Sequence, residues 1–547
     1  MAIRINNKIR MNNHYKKNQL IATFLLIVTI SLVNINIQAK DRYNHLYVDL
    51  PFDMPLLERP QFPDNQVNVR DFGGISDGVH LNTEAFEKAF STLAAKGGGT
   101  LIVPSGIWFT GPIVFRSNIN LHLEKGALIL FSPDFNLYPL VNTVYEGLDT
   151  RRCQSPISGR NLENIAITGH GSINGSGDAW RPLKNGKISR NQWESVVKSG
   201  GVLKDPNYWF PSESSLRGEI ANANTPKKTF TDADWMSFKD YLRPVMISFI
   251  ECKNVLLEGV LFENSPAWNI HPLMCENVII DNIYVRNPVY AQNGDGIDLE
   301  SCVNSIIVDC TFDVGDDAIC IKAGKDEDGR RRARHTENVI VENCKVFHGH
   351  GGFVVGSEMS AGVKNISVKN CQFMGTNVGL RFKAGRGRGG IVENIYIENI
   401  SMFNIPTEAF LFDLYYGSPK TSKIPLVDET TPAFRNIYVK NLNARNVNRA
   451  MFFNGLPEMN IDNIHVEDVI ITANKGAELV ESKNIQFTNV KIIPKKGPAL
   501  ILDNVENMKV VDLKYPDMMK EIVHLSGEKT KNINLPKDIK DDRIIKK

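Results

Sequence analysis

From residue 160 onward, short runs of alternating apolar and polar residues return behind an asparagine: LENIAITG, CKNVLLEGVLF, CENVIIDNIYV, TENVIVENCKV, VENIYIENISM and, near the end, VENMKVVDLKY. Alternation of period two in Val, Ile, Phe and Tyr predicts β-strands, each too short to bury its own apolar face. The asparagines are Asn164, Asn254, Asn277, Asn304, Asn338, Asn365, Asn394, Asn436, Asn463, Asn484 and Asn507; from Asn254 they are spaced 23, 27, 34, 27, 29, 42, 27, 21 and 23 residues apart. Periods of this size describe coils that must stack to enclose a core. A leucine-rich horseshoe needs leucine consensus positions and helical segments, and a propeller needs several hairpins per blade; a parallel β-helix needs Val/Ile strands, stackable Asn at the turns and loops of variable length. The pattern predicts the β-helix, an all-β fold.

Ahead of the repeat, LNTEAFEKAFSTLAAKGGG predicts a helix with Asn82 or Thr83 as cap, Phe86, Phe90 and Leu93 on one face, and a stop at Gly97 to Gly99. It is expected to cap the open end of the solenoid, whose unpaired strand edge needs cover. Between Asn164 and Asn254 the repeat is interrupted, and residues 178–242 carry Trp180, Trp193, Trp209 and Trp235 without clear periodicity. This is expected to be a long inserted loop, serving either as extra packing or as a wall for substrate.

The N-terminus is of another kind: Arg4, Lys8, Arg10, Lys16 and Lys17 precede the apolar run LIATFLLIVTISLV, and Ala39 offers a small residue before a cut. Residues 1–39 therefore read as a signal peptide and 40–66 as a lead-in, leaving one catalytic domain over 67–547 and no stable membrane span. Without the leader the chain holds 58 basic against 61 acidic residues, which argues against nucleic acid as a partner. Eight cysteines in an exported chain suggest disulfides, but Cys252, Cys275 and Cys302 each stand two residues before a repeat Asn, and Cys310, Cys344 and Cys371 six after one. That register predicts free, stacked core thiols.

Candidate chemistry is concentrated in four consecutive coils. QNGDGIDLES holds Asn293 and Asp295; TFDVGDDAICIKAG holds Asp316 and Asp317, one coil later; HGHGG holds His350; LRFKAGRGRGG holds Arg381 and Lys383 on one strand face. Adjacent coils lie about 4.8 Å apart, so the three carboxyl groups should converge. Asp298, three residues after Asp295, is expected on the opposite face, either as a structural group or as one that supports the site from behind. Clustering carboxyls raises the proton affinity of at least one, which supplies the protonated acid and the ionised base that glycoside hydrolysis needs. Arg381 and Lys383 would then pair with a carboxylated sugar.

NGDGID, GDDAI, GHGG and RFK, in that order on such a repeat, resemble the polygalacturonases of glycoside hydrolase family 28, and VRDFGGISDG with GGGTLIVPSG extends the resemblance over nearly all of the mature chain. It implies a right-handed parallel β-helix, inverting hydrolysis of α-1,4-linked galacturonan, no metal and no cofactor. By the same resemblance Asp316 is the general acid, Asp295 and Asp317 hold the attacking water, His350 supports the acid, and Arg381 and Lys383 bind the galacturonate carboxylate. Tyr415 or Tyr416 is expected to join them. Gly294 and Phe382 depart from the family's usual threonine and isoleucine. The long insertion, with Arg243, Trp268 and His271, looks like the exo-acting bacterial members, although Trp268 and His271 fit a core role equally. Arg330, Arg331, Arg332 and Arg334 form either a lip for a polyanion or a solvated charge run.

The expected partner is a pectic polysaccharide or oligogalacturonide, met by a monomer in the periplasm or outside the cell. Rhamnogalacturonan or a substituted galacturonan is the nearest alternative substrate. A pectate lyase, with Arg381 or Lys383 as base and Ca²⁺ on the carboxylates, and a non-enzymatic β-helix adhesin are the rival classes.

Overall fold

The computed structural model describes residues 42–418 and 423–547, so the leader expected at 1–39 lies outside the described residues. Residues 42–50 and 55–59 form one compact unit, with a 3-10 turn at Asn44–Tyr47 whose Tyr47 hydroxyl donates to the Pro55 carbonyl (3.1 Å) and accepts from the Leu57 amide (3.0 Å). The other unit is a parallel β-helix. Its strands join one sheet of 32, beginning at Gln66–Asn68, which pairs in parallel with Gly99–Val103. Among the described residues no helix is long and apolar enough to cross a membrane.

The repeat asparagines do the turning. Each of the eleven sits at positive φ, a region that Asn tolerates better than other non-glycine residues, and there its side chain bonds to the next coil. Asn254 Nδ2 donates to Asn164 Oδ1 (2.9 Å), Asn277 to Asn254 (3.0 Å), and the ladder continues through Asn463 to Asn436 (2.8 Å). It starts one coil earlier than the sequence pattern indicates, at Asn118, which accepts from Asn164. Inside, alternate strand residues form one continuous core. Phe382 belongs to it, packing edge-to-face on Phe412 with ring centroids 4.7 Å apart, so the aromatic extends a stack that also holds Phe353 and Phe434. All eight cysteines are free and buried, as their register predicts, and burial pushes the Cys153 thiol up to about 12.

A helix at Thr83–Ala95 (α1) caps the solenoid with Ala85, Phe86, Ala89, Phe90 and Leu93 buried and stops at glycines of positive φ. Asn82 precedes it but does not cap by side chain; it is fully buried and ties Ile75, His80 and Phe109 together instead.

The 178–242 segment is more ordered than a loop. It holds three helices, Arg190–Lys198 (α2), Glu213–Ala221 (α3) and Asp232–Ser237 (α4), and a three-stranded antiparallel sheet. Capping boxes at Ser189/Gln192 and Thr231/Asp234 start α2 and α4, a signal present in the sequence as SRNQ and TDAD. Trp180, Trp209 and Trp235 are buried, and only Trp193 is half-buried. The insertion also braces a loop of the solenoid: the Tyr208 hydroxyl donates to Gln292 Oε1 (3.3 Å), and Gln292 Nε2 donates to the Pro182 carbonyl (3.3 Å).

Seven stacked strand segments carry the face that matters for chemistry: Ile247–Ile250 (β1), Ile270–Leu273 (β2), Ile297–Glu300 (β3), Ile319–Lys322 (β4), Gly351–Gly356 (β5), Val378–Lys383 (β6) and the end of Ile391–Asp413 (β7). The sequence pattern gave no notice of the hairpin over residues 140–153, whose turn residues Glu146 and Gly147 both have positive φ, as a type I′ turn requires. It folds over the outer face: Val144 packs with Ile250 and Leu273, and the Tyr145 ring lies 4.7 Å from that of Trp268. Its tip is anchored at Lys325, whose amide donates to the Gly147 carbonyl and whose Nζ lies 3.6 Å from Glu146.

Candidate active site

Ile297, Leu299, Ile319, Ile321, Phe353, Val355, Leu380 and Phe382 point into the core. By alternation, Asp298, Glu300, Cys320, Lys322, Arg381 and Lys383 point outward. Ile297 stands opposite Ile319, and Ile319 opposite Phe353. Carried two residues back from Ile297, this register sets Asp295 beside Asp317, an offset of 22 residues, and carried three back from Ile319 it sets Asp316 beside His350. The coil is thus one residue longer than the separation of Asp295 and Asp316. The convergence holds: one oxygen each from Asp295, Asp316 and Asp317 lies within 4.8 Å of the others.

The three carboxyls differ in their surroundings. Asp316 is the accessible one; its Oδ1 lies 2.9 Å from His350 Nδ1 and accepts from the Asp317 amide at 3.0 Å. Asp317 is 1% exposed and clamped: Arg381 Nη1 donates to Oδ1 (2.9 Å) and Lys383 Nζ to Oδ2 (2.7 Å). Burial raises its proton affinity, but the Lys383 and Arg381 charges outweigh burial and hold Asp317 well below the usual carboxylate range. Asp295 is pushed far up, chiefly by burial, then by Asp298 and Asp316. The surroundings thus favour the ionised form of Asp317 and the protonated form of Asp295.

Several sequence-predicted residues stand differently from expectation. Arg381 and Lys383 spend their nearest contacts on Asp317, although Arg381 Nε has no hydrogen-bond partner among the described residues. Tyr416, 40% exposed, places its ring 5.1 Å from Lys383 Nζ and 5.8 Å from Arg381, whereas Tyr415 packs beside Arg386 and the core. Asn293 is half-buried with its Oδ1 held by Arg243 Nη2 (2.8 Å), so Arg243 fixes the loop before Asp295. His271 is 1% exposed and 2.8 Å from Glu300, so it is closed off from an incoming sugar. Gly294 is explained by crowding: a Cβ there would sit 2.7 Å from that of Ala291.

Asp298 is not a separate group on the far side. Alternation counted from Asp295 misplaces it because β3 begins only at Ile297, and its charge bears directly on Asp295. Lys322, Glu358, Glu300 and Tyr145 are further charged or polar groups that the motifs did not indicate, though Asp298, Glu300 and Lys322 stand at outward positions of apolar strands. The arginines at 330–334 follow a third course. Arg330 donates to the Gly387 and Arg388 carbonyls, while Arg331 and Arg332 pair with Asp149, at 2.8 and 3.2 Å, so these three brace loops around the helix Asp326–Arg332 (α5).

Glycosyl hydrolases family 28 matches residues 232–496, a span that contains every group of this site except the hairpin. The exopolygalacturonase of Thermotoga maritima is 34% identical, with 83% of this chain and 96% of that one covered and a TM-score of 0.66. The chain belongs to glycosyl hydrolase family 28. Among other relatives, a probable polygalacturonase of Vitis vinifera is 29% identical over 79% of this chain and 82% of its own length. An exo-poly-alpha-D-galacturonosidase of Dickeya chrysanthemi is 28% identical over 69% of this chain and 61% of its own. As a family 28 hydrolase the protein is an enzyme, and the clustered carboxyls are its candidate catalytic groups.

Proposed function

We propose that this family 28 hydrolase cleaves α-1,4-linked galacturonan from a chain end, releasing short saturated products with inversion. The observation that carries the reading is the division of labour at the site: Asp317 ionised between Arg381 and Lys383, and the accessible Asp316 against His350. Asp317 and Asp295 hold the water, Asp316 protonates the leaving oxygen, and His350 steadies Asp316. Arg381, whose side chain is 17% exposed, would meet a sugar carboxylate with the part of its guanidinium not spent on Asp317, and Tyr416 flanks it. The carboxyls are closer than the roughly 6.5–9.5 Å usual for an inverting pair. A third carboxyl resolves this, because the water can lie between Asp295 and Asp317 rather than between acid and base.

Action from a chain end is supported by the roof over β1 and β2. Tyr145, Trp268 and the anchored hairpin cover part of the outer face on the N-terminal side of Asp295, which would obstruct a chain running on past the site there. On polygalacturonate, mono- or digalacturonate without ultraviolet absorbance should dominate from the first time point. The first-formed anomer, read by proton NMR, should be the β form. Replacing residues 145–148 with an Asn-Gly turn should lengthen the products. A ladder of oligomers from the wild type would remove the chain-end reading, and an absorbing product would mean elimination.

We also infer export, from the basic and then apolar leader. Intact mass of the protein recovered outside the cytoplasm should correspond to a chain starting at Lys40; a mass that includes the leader would refute cleavage.

A further inference from the structure

One arginine grips the loop that leads into the carboxyl cluster. Arg243 lies between the insertion and β1, is 5% exposed, and reaches across two coils. Its Nη1 donates to the Pro266 and Gln292 carbonyls (both 2.9 Å), and its Nη2 donates to Asn293 Oδ1 (2.8 Å). Arg243 is itself held: its carbonyl accepts from Arg152 Nε of the hairpin (2.6 Å), and Arg152 Nη1 donates to Asn224 Oδ1 in the insertion (2.8 Å). The gripped loop is laced to that of Asp316 and Asp317. The Gly315 amide donates to the Gly294 carbonyl (3.3 Å), and the Gly296 amide to the Asp317 carbonyl (2.9 Å).

A guanidinium carries donors only, so of the two ends of the Asn293 amide only the oxygen can face it, and Nδ2 must face away. Asn293 is half-buried; its Nδ2 has no hydrogen-bond partner among the described residues and is not one of their buried orphaned atoms, so it is open to solvent, two residues from Asp295. We propose that Arg243 is a positioning residue for substrate: it fixes the Asn293 amide so that the site beside Asp295 presents an N–H donor to an oxygen of a uronate, hydroxyl or carboxylate. This deepens the function proposed above and rests on it. Without Arg243 the amide could turn and present its oxygen, which a sugar carboxylate cannot bond. The insertion and the hairpin thereby take a share in binding, because Asn224 and Arg152 hold the arginine that holds the amide.

Asn293 has a φ of 54°, which Asp and Gly accept and which strains most other residues, so Asn293→Asp and Asn293→Gly are the informative changes. Asn293→Asp keeps the bond to Arg243, strengthened by charge, and removes the donor. Its Tm should stay within about 2 °C of wild type or rise, while KM on polygalacturonate rises at least about tenfold with kcat changed less than about threefold. A wild-type KM would overturn the proposal, since no donor at Asn293 would then be in use. Arg243→Met, alone and combined with Asn293→Gly, closes a double-mutant cycle, in which the pair should raise KM little more than Asn293→Gly does by itself. If the two effects on KM instead multiply, Arg243 acts on the fold and not through Asn293, and the proposal fails. Should Arg243→Met not fold, the Asp and Gly variants still decide: Asp must lose more affinity and less stability than Gly, and the reverse order would overturn the proposal. If the wild type does not hydrolyse polygalacturonate, the reading of the substrate fails, whereas the same cycle in Tm needs no substrate; additive Tm losses there would show that Arg243 does not hold Asn293.

Discussion

Asp316→Asn should lower kcat on polygalacturonate by about a thousandfold or more, at nearly unchanged KM and Tm, because general-acid catalysis supplies roughly 10²–10⁴ and the amide cannot act as an acid. The fold should tolerate the change. Asp316 is partly exposed, and an asparagine Oδ1 can still accept from the Asp317 amide, a bond of 3.0 Å in the wild type. What separates an acid from a group that only positions water is the dependence on the leaving group. With an activated aryl galacturonide the departing oxygen needs no proton, so the deficit of Asp316→Asn should shrink by at least about tenfold, while that of Asp317→Asn should not. Equal deficits on both substrates would mean that Asp316 does not act as the acid.

The assignment of these roles was partly open to the sequence, for a physical reason. In a solenoid each repeat Asn fixes a coil, so a separation along the chain becomes a contact in space, and Asp295, Asp316, Asp317, His350, Arg381 and Lys383 could be brought together from their spacing alone. What the spacing could not give is pairing within the cluster. A row of carboxylates beside a row of cations reads the same whether the cations wait for substrate or, as here, clamp Asp317. Asp298 was misplaced because alternation holds only inside a strand, and Asp295 precedes one. The hairpin at 140–153 escaped notice because its Glu146–Gly147 turn is not one of the common hairpin dipeptides, although LVNTVY and LDTRRC flank it. His271 and Trp268 suit core and cleft equally by composition; only the roof above them shows that they are enclosed.

Lys383→Met should be the most damaging change outside the three carboxyls, in stability and rate together. It leaves Asp317, 1% exposed, with Arg381 as its one direct partner, and breaking a buried pair from one side costs about 3–5 kcal/mol. The pH dependence identifies the cause. In the wild type the proton affinity of Asp317 is depressed on folding, so its contribution is complete above the ordinary carboxylate range and lost only as pH falls through the lowered value. Without Lys383, burial raises that affinity, so the stability deficit should be largest near neutral pH and should narrow in acid, where Asp317 takes up its proton in both proteins. The same shift moves the acid limb of kcat/KM upward, since the base must lose its proton before it can accept one from water. Lys383→Arg restores the charge but not the compact ammonium geometry, and should recover stability more fully than rate. If the methionine variant raised KM alone, with the limb and the pH dependence of Tm unmoved, Lys383 would be a substrate contact with no part in setting the charge of Asp317.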